Sequence, residues 1–129
     1  MAVPPPLFTD EEIDTLVETF YARVRRHHRL GPIFEEAVGS DGWPHHLATL
    51  KDFWSSVLNT TGRYKGSPMA VHQRIPQLTE GLFMPWLNLF HQTCTELFDA
   101  PRAAIVGQKA ERIAASLKLG LFFKPDAVA

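Results

Sequence analysis

The amino-acid sequence predicts an all-α fold, and three observations lead to that prediction. Apolar residues recur at intervals of three and four residues along several long segments, as on the buried face of an amphipathic helix. No segment alternates apolar and polar residues with a period of two, and no internal repeat is visible. Four or five helices of this length can bury a modest core and leave a slot between two helix pairs.

The first predicted helix begins after Thr9, which forms a capping box with Glu12 three residues later. We expect Leu30-Gly31-Pro32 to end this helix, because glycine can adopt a left-handed cap and proline cannot continue the helix. Six apolar residues lie on one face of it: Ile13, Leu16, Val17, Phe20, Tyr21 and Val24.

A short apolar pair, Ile33-Phe34, follows the first helix, and the glycines of segment 39–42 predict a turn. The next helix is predicted to begin near Trp43-Pro44, with proline in its first turn, and to end before Gly62.

Segment 63–68 reads as a loop. Pro68 and Pro76 then leave room for about two helical turns at most, and His72 lies inside that short piece.

Thr79 is expected to cap a fourth long segment, whose wide apolar stripe runs to Phe98. Segment 99–101 predicts a stop and a restart. The last helix is expected to close at Gly120, and Phe122-Phe123 is an apolar tail that should fold back.

A length of 129 residues fits one domain. We expect a flexible leader over residues 1–8, because Pro4-Pro5-Pro6 favours an extended chain without internal hydrogen bonds that does not join a helix. The single domain is predicted over 9–123, and a tail over 124–129. No stretch resembles a signal peptide or a bilayer-crossing segment, so a soluble, cytoplasmic protein is the expectation, with no membrane partner.

Composition excludes several classes of function. Thirteen Lys and Arg residues oppose fourteen Asp and Glu residues, for a formal net charge of −1, which argues against nucleic acid as a partner. Cys94 is the only cysteine, so the chain alone holds no disulfide, Cys-rich zinc module or iron–sulfur cluster. The sequence also lacks an HExxH motif, a G-x-S-x-G elbow and a glycine-rich phosphate loop.

Most of the six histidines have a structural interpretation. His27 and His28 lie beside arginines at a predicted helix end, where solvated cations interact favourably with the helix dipole. His91 reads as a surface or half-buried residue, and Cys94 as a small core residue.

His72 differs because it lies on a short segment pinned by two prolines, beside apolar Met69 and Val71. Such a residue suits an axial haem ligand, although a satisfied structural histidine fits the pattern too. Tyr21 and Trp86 lie in apolar surroundings, where their O–H and N–H groups need partners. The three polar groups either share one ligand or are satisfied separately.

Together these stretches resemble the group III truncated haemoglobins, over residues 10 to 120 and with order and spacing retained. The chain lacks the Gly-Gly pairs that the other truncated groups carry, and group III members lack these pairs too. The pieces that carry the resemblance are Phe20-Tyr21-x-x-Val24-Arg25, Leu30-Gly31-Pro32-Ile33-Phe34, Trp43-x-x-His46, Phe53-Trp54, Tyr64-x-Gly66-x-Pro68, His72-x-x-x-Pro76 and Phe83-x-x-Trp86-Leu87-x-Leu89-Phe90.

The resemblance implies a globin-like two-over-two helical sandwich around one haem b. It matches His72 to the proximal iron ligand, which makes His72 the metal-binding residue. The distal, ligand-binding set that it implies is Tyr21, His46, Trp86, Phe20 and Leu50. The haem-binding set that it implies is His72, Phe34, Leu50, Phe53, Trp54, Met69, Arg74, Ile75 and Trp86.

Two departures separate this chain from some relatives, which have basic residues at the segment Ala70-Val71 and at Thr49. The partners of the haem propionates are therefore open, and Arg74, Lys51 and Arg63 are the candidates.

The resemblance implies reversible binding of dioxygen and other diatomic ligands, such as CO and NO, or of cyanide, with a role in oxygen transport. A haem redox enzyme, peroxidase-like or a nitric oxide dioxygenase, is the alternative. It would need an external reductase, because the chain carries no flavin or nicotinamide domain. A haem-free helical interaction module is the third interpretation.

Overall fold

The computed structural model describes residues 7–122, and the rest of the predicted leader and tail, Phe123 included, lies outside the described residues. Its elements are all helical, which confirms the predicted fold class. In chain order they are α1 (Asp10–Arg26), α2 (Leu30–Val38), α3 (Trp43–Asn59), α4 (Pro68–Gln73), a 3-10 turn (Glu80–Leu82), α5 (Phe83–Leu97) and α6 (Ala100–Phe122).

Helix α1 begins as predicted. The Thr9 hydroxyl accepts a hydrogen bond from the Glu12 amide at 3.0 Å, and the Glu12 carboxylate accepts one from the Thr9 amide at 3.0 Å. All six residues of the predicted apolar face are buried. A local cap and a 3.6-residue period therefore suffice to specify the start and the buried face of this helix.

The predicted end of α1 at Leu30-Gly31-Pro32 is wrong. Helix α1 already ends at Arg26, and Leu30 to Pro32 form the first turn of α2. Proline is tolerated there, because the first amides of a helix have no intrahelical partner. Glycine allows the close approach, since a Cβ at Gly31 would lie 2.5 Å from the Arg25 carbonyl oxygen.

His27 makes the corner between α1 and α2. Its backbone N–H donates to the Val24 carbonyl at 3.1 Å, and its own carbonyl accepts from the Gly31 amide at 2.8 Å. Its Nδ1 accepts from the amides of Arg29 at 3.1 Å and Leu30 at 3.2 Å. Contrary to the expectation of a merely solvated residue, His27 satisfies amides at the start of α2.

The predicted turn and helix start that follow are confirmed. Helix α2 ends at Val38, Gly39 takes a positive φ of 79°, and α3 begins at Trp43 with Pro44 in its first turn. The short α4 begins at Pro68, and the Ser67 hydroxyl accepts the Ala70 amide at 3.2 Å.

The second half of the chain differs at two predicted boundaries. Thr79 precedes a 3-10 turn and makes no side-chain capping bond, so α5 starts only at Phe83. Helix α6 begins after Asp99, whose carboxylate accepts the Arg102 amide at 3.0 Å. It passes through Gly120 to Phe122, because Gly120 leaves room for the Met69 side chain of α4.

Two helix pairs, α1 with α3 and α5 with α6, form the sandwich, and α1 crosses onto α5. The ion pair of Lys51 with Glu18, at 2.9 Å, joins the two helices of the first pair, and the ion pair of Arg23 with Glu96 joins the two layers. Helix α2 packs mainly on α1, and α4 on α6. No helix within residues 7–122 combines the length and apolar character needed to cross a bilayer.

Aromatic rings form the centre of the core. Phe90 stacks on Trp54 at 5.0 Å and on Trp86 at 5.3 Å between ring centroids, and Phe20 meets Phe90 edge-on at 4.9 Å. Phe8 is fully buried, although the predicted leader included it, because its ring packs edge-on against Phe98.

The cap made by His27 should depend on pH. Burial, and then the charges of His28 and Arg29, lower the pKa of His27 below its usual value. A pKa lowered by folding means that the cap contributes fully above the unfolded pKa of about 6.5 and is lost as pH falls through the folded pKa. We expect α2 to lose about 1 kcal/mol of protection, measured by amide hydrogen exchange between pH 7 and pH 5.

The His27→Asn variant is the control, because its side-chain oxygen can accept the same amides without titrating in this range. Equal pH dependence of α2 in parent and variant would contradict the assignment of the effect to His27.

Candidate functional site

A cavity of about 560 Å³ lies between the helix layers, and residues from all six α-helices line it. Its volume falls within the range of about 300–1,000 Å³ that small-molecule and cofactor sites span. Ten of the residues predicted for the site line this cavity: Tyr21, Phe34, His46, Leu50, Phe53, Trp54, His72, Arg74, Ile75 and Trp86.

Two predicted site residues lie outside the lining. Phe20 is fully buried behind it and packs edge-on against Tyr21 and Trp86, with centroid distances of 4.8 and 5.3 Å. Met69 turns toward Gly120 and packs with the cluster between α4 and α6. Phe20 therefore supports two lining residues from behind, and Met69 packs α4 against α6.

The prediction of site residues missed the contribution of the last helix. Ile113, Ala114 and Leu117 of α6 line the cavity. The apolar periodicity of this helix was visible in the sequence, but it does not tell a core contact from a cavity wall. His45 and Tyr64, also lining residues, add polar groups.

His72 has its tautomer set by its own helix. Its Nδ1 lies 2.6 Å from the Pro68 carbonyl oxygen, one helical turn earlier. A carbonyl oxygen only accepts, so Nδ1 carries the hydrogen and Nε2 of the neutral ring carries the lone pair. A half-buried imidazole in this state can ligate a metal ion through Nε2.

Tyr21 is a neutral hydroxyl group at the wall of the cavity. Burial raises its pKa well above the usual value, and hydrogen bonding from the Trp86 indole only partly opposes this. The neutral hydroxyl keeps its hydrogen, so the Tyr21 O–H is able to donate to a group in the cavity.

His46 is half-buried on α3, and its Nε2 is buried with no hydrogen-bond partner among residues 7–122. The ring meets those of Trp43 at 5.4 Å and Tyr21 at 6.0 Å, both edge-on. Burial first, and then His45 and His72, lower the pKa of His46, so the ring is neutral at pH 7.

Of the three cations considered for anionic groups, only Arg74 lines the cavity. Lys51 pairs with Glu18 at 2.9 Å, and Arg63 pairs with Asp10 at 3.2 Å. Neither Lys51 nor Arg63 is among the lining residues.

The remaining candidates lie away from the cavity. His91 contacts the Glu111 carboxylate at 3.0 Å on the far side of α5 and α6, consistent with its surface interpretation. Cys94 is buried, as expected of a core residue, and burial raises its pKa to about 12, which keeps the thiol protonated.

The arrangement is chemically asymmetric. One imidazole, with a free lone pair, comes from the short α4, whereas the neutral groups of Tyr21 and His46 come from α1 and α3. The other lining residues are mostly apolar. Such a site can hold a flat apolar cofactor by a single metal ligand and present hydrogen-bond donors to a small polar molecule.

Comparison with known proteins identifies relatives along nearly the whole chain. The chain is 32% identical over 114 residues to the group 3 truncated hemoglobin ctb of Campylobacter jejuni, covering 87% of this chain and 90% of that protein. The crystal structure of the group III truncated hemoglobin from Campylobacter jejuni matches with a TM-score of 0.85 and 31% identity, covering 95% of this chain and 96% of that one. No protein-family model matches the chain.

Proposed function

This chain belongs to the group III truncated haemoglobins, and from that premise we propose that it binds dioxygen and other diatomic ligands at one haem b. The observation that carries the proposal is the His72 imidazole, whose lone pair lies on Nε2 at the wall of an apolar cavity. A haem iron held by one imidazole supplies an open sixth coordination position.

The residues present fit such a cofactor. The hydrogen bond to the Pro68 carbonyl orients the His72 ring and raises its basicity as a ligand. Phe34, Phe53 and Ile75 supply flat or branched apolar surface around it. The unpartnered Nε2 of His46 is a buried polar atom that gains a partner when a polar ligand enters.

Arg74 is our candidate for a haem propionate, since Lys51 and Arg63 already have carboxylate partners. A guanidinium suits this role because it can bind a carboxylate in a bidentate manner.

Tyr21 is proposed as the main donor to a bound ligand. Its hydroxyl is neutral and lies at the cavity wall, where its hydrogen is able to reach a ligand. Trp86 lines the same cavity, and its indole N–H is the second candidate donor. A hydrogen bond to a partly charged acceptor is worth about 1.5–3 kcal/mol.

Replacement of the proposed iron ligand should abolish cofactor binding. We expect His72→Ala to lose stoichiometric haem and its absorption band, because no other imidazole is placed on α4. His28→Ala, at the exposed α1–α2 corner, is the control and should bind haem as the parent does. A His72→Ala protein with stoichiometric haem and an unchanged spectrum would refute the assignment.

Loss of the Tyr21 hydroxyl should speed ligand release. We expect Tyr21→Phe to raise the dioxygen off-rate by about 10- to 150-fold, the equivalent of one such hydrogen bond. Stopped-flow displacement measures the rate, and Tyr64→Phe, which removes another hydroxyl from the cavity wall, is the control. A rate within twofold of the parent would exclude Tyr21 as a donor.

A haem redox enzyme is the second candidate, favoured by the neutral imidazole of His46. A neutral imidazole at this position can accept one proton from hydrogen peroxide and return it to the departing oxygen as the O–O bond breaks. An external donor supplies two electrons and two further protons enter from solvent, so that each peroxide yields two molecules of water.

If the protein reduces peroxide, His46→Leu should lower peroxide turnover by about 100-fold, with His28→Ala unchanged. The measurement is oxidation of a reducing dye by the haem-loaded protein. Parent turnover no faster than that of free haem would favour the binding role alone.

A further inference from the structure

The inward placement of His46 needs an explanation. A buried polar atom without a hydrogen bond costs about 1–3 kcal/mol, and Nε2 of His46 is such an atom among residues 7–122. The ring is only half-buried, so rotation toward water would satisfy it. Contacts elsewhere on the ring must therefore oppose that rotation.

Trp43 supplies the principal contact. Its indole is 3% exposed and meets the His46 ring at 5.4 Å and the Tyr21 ring at 6.4 Å between centroids. The Trp43 Nε1 is also buried without a partner in the described part of the chain. No hydrogen bond of its own therefore fixes this indole, and only contacts with neighbouring side chains hold it.

Arg25 covers the indole. Its guanidinium carbon lies 4.5 Å from the Trp43 ring centroid, which is cation–π geometry, and its Nε donates to the Glu35 carboxylate at 2.7 Å. Arg25 comes from α1, Glu35 from α2 and Trp43 from α3. The three residues thus tie together the three helices that surround His46 and Tyr21.

We propose that Arg25 is a positioning residue for His46: anchored by Glu35, its guanidinium covers Trp43 and thereby holds the imidazole inside the cavity. The inference rests on the proposed function, since an inward imidazole matters when a ligand occupies the cavity. Arg25 itself does not line the cavity, so it acts only through Trp43.

The experiment compares the carbon monoxide complexes of the haem-loaded parent, Arg25→Gln and Arg25→Lys. The infrared C–O stretching bands distinguish molecules by the polar groups beside the ligand. Because Tyr21 lines the cavity in every variant, the His46-inward band is identified as the one that His46→Leu removes. Cation–π contacts are worth enough to change a population ratio by about 2- to 30-fold. For Arg25→Gln we expect the intensity of the His46-inward band, relative to the other bands, to fall by that factor. Arg25→Lys keeps a cation and should restore the ratio toward that of the parent.

Arg102→Gln is the matched control. Arg102 also lies over aromatic rings, at 5.3 Å from Phe98, and pairs with two carboxylates, but none of these residues lines the cavity. Its bands should match those of the parent. If Arg25→Gln does not fold, Glu35→Gln removes the anchor and should shift the bands in the same direction.

Arg25→Gln or Glu35→Gln bands within twofold of the parent, or an equal shift in Arg102→Gln, would overturn the inference. Nuclear Overhauser effects between the His46 and Trp43 rings give a readout that does not require haem, and they should weaken in Arg25→Gln but not in Arg102→Gln. A parent without a haem absorption band would defeat the proposed function, whereas haem-loaded variants with unchanged bands and Overhauser effects would defeat only this inference.

Discussion

The need to keep a cavity of about 560 Å³ open inside one small core is the constraint on which the rest of this structure depends. Protein interiors are close-packed, so side chains collapse into such a space unless rigid groups hold the helices apart. The Trp54–Phe90–Trp86 stack, with Phe20 set edge-on against it, performs this task. These rings join α1, α3 and α5: Trp54 and Trp86 form part of the cavity wall, and Phe20 and Phe90 support it from behind.

The polar groups of the cavity are positioned in two different ways, which depend on the helix that carries each group. His72 lies on a six-residue helix, and that helix sets its tautomer through one hydrogen bond at 2.6 Å. Tyr21 and His46 come from longer helices that the sandwich itself positions. The imidazole that we propose as the cofactor ligand is thus oriented locally, whereas the proposed distal groups depend on how three helices pack.

The corner between α1 and α2 positions a helix that contributes to the cavity wall. His27 ends one helix and caps the next, and the Arg25–Glu35 pair joins the same two helices a few residues away. Helix α2 has few other contacts, yet Phe34 on it lines the cavity. The His27 cap and the Glu35 anchor of Arg25 are therefore both contacts of the short helix α2.

Local signals in the sequence determined the fold class, the capping box at Thr9 and the proline-bounded helix with His72. These features follow from periodicity, capping and the fixed φ of proline, which act over a few residues. The full set of twelve predicted site residues came from the family resemblance instead, and ten of them line the cavity. Only the tertiary structure placed Phe20 behind the wall, paired Lys51 with Glu18, and brought Arg25 over Trp43. Those placements depend on which side chains from separate helices meet across the packed layers, and the spacing of residues along the chain does not specify such contacts.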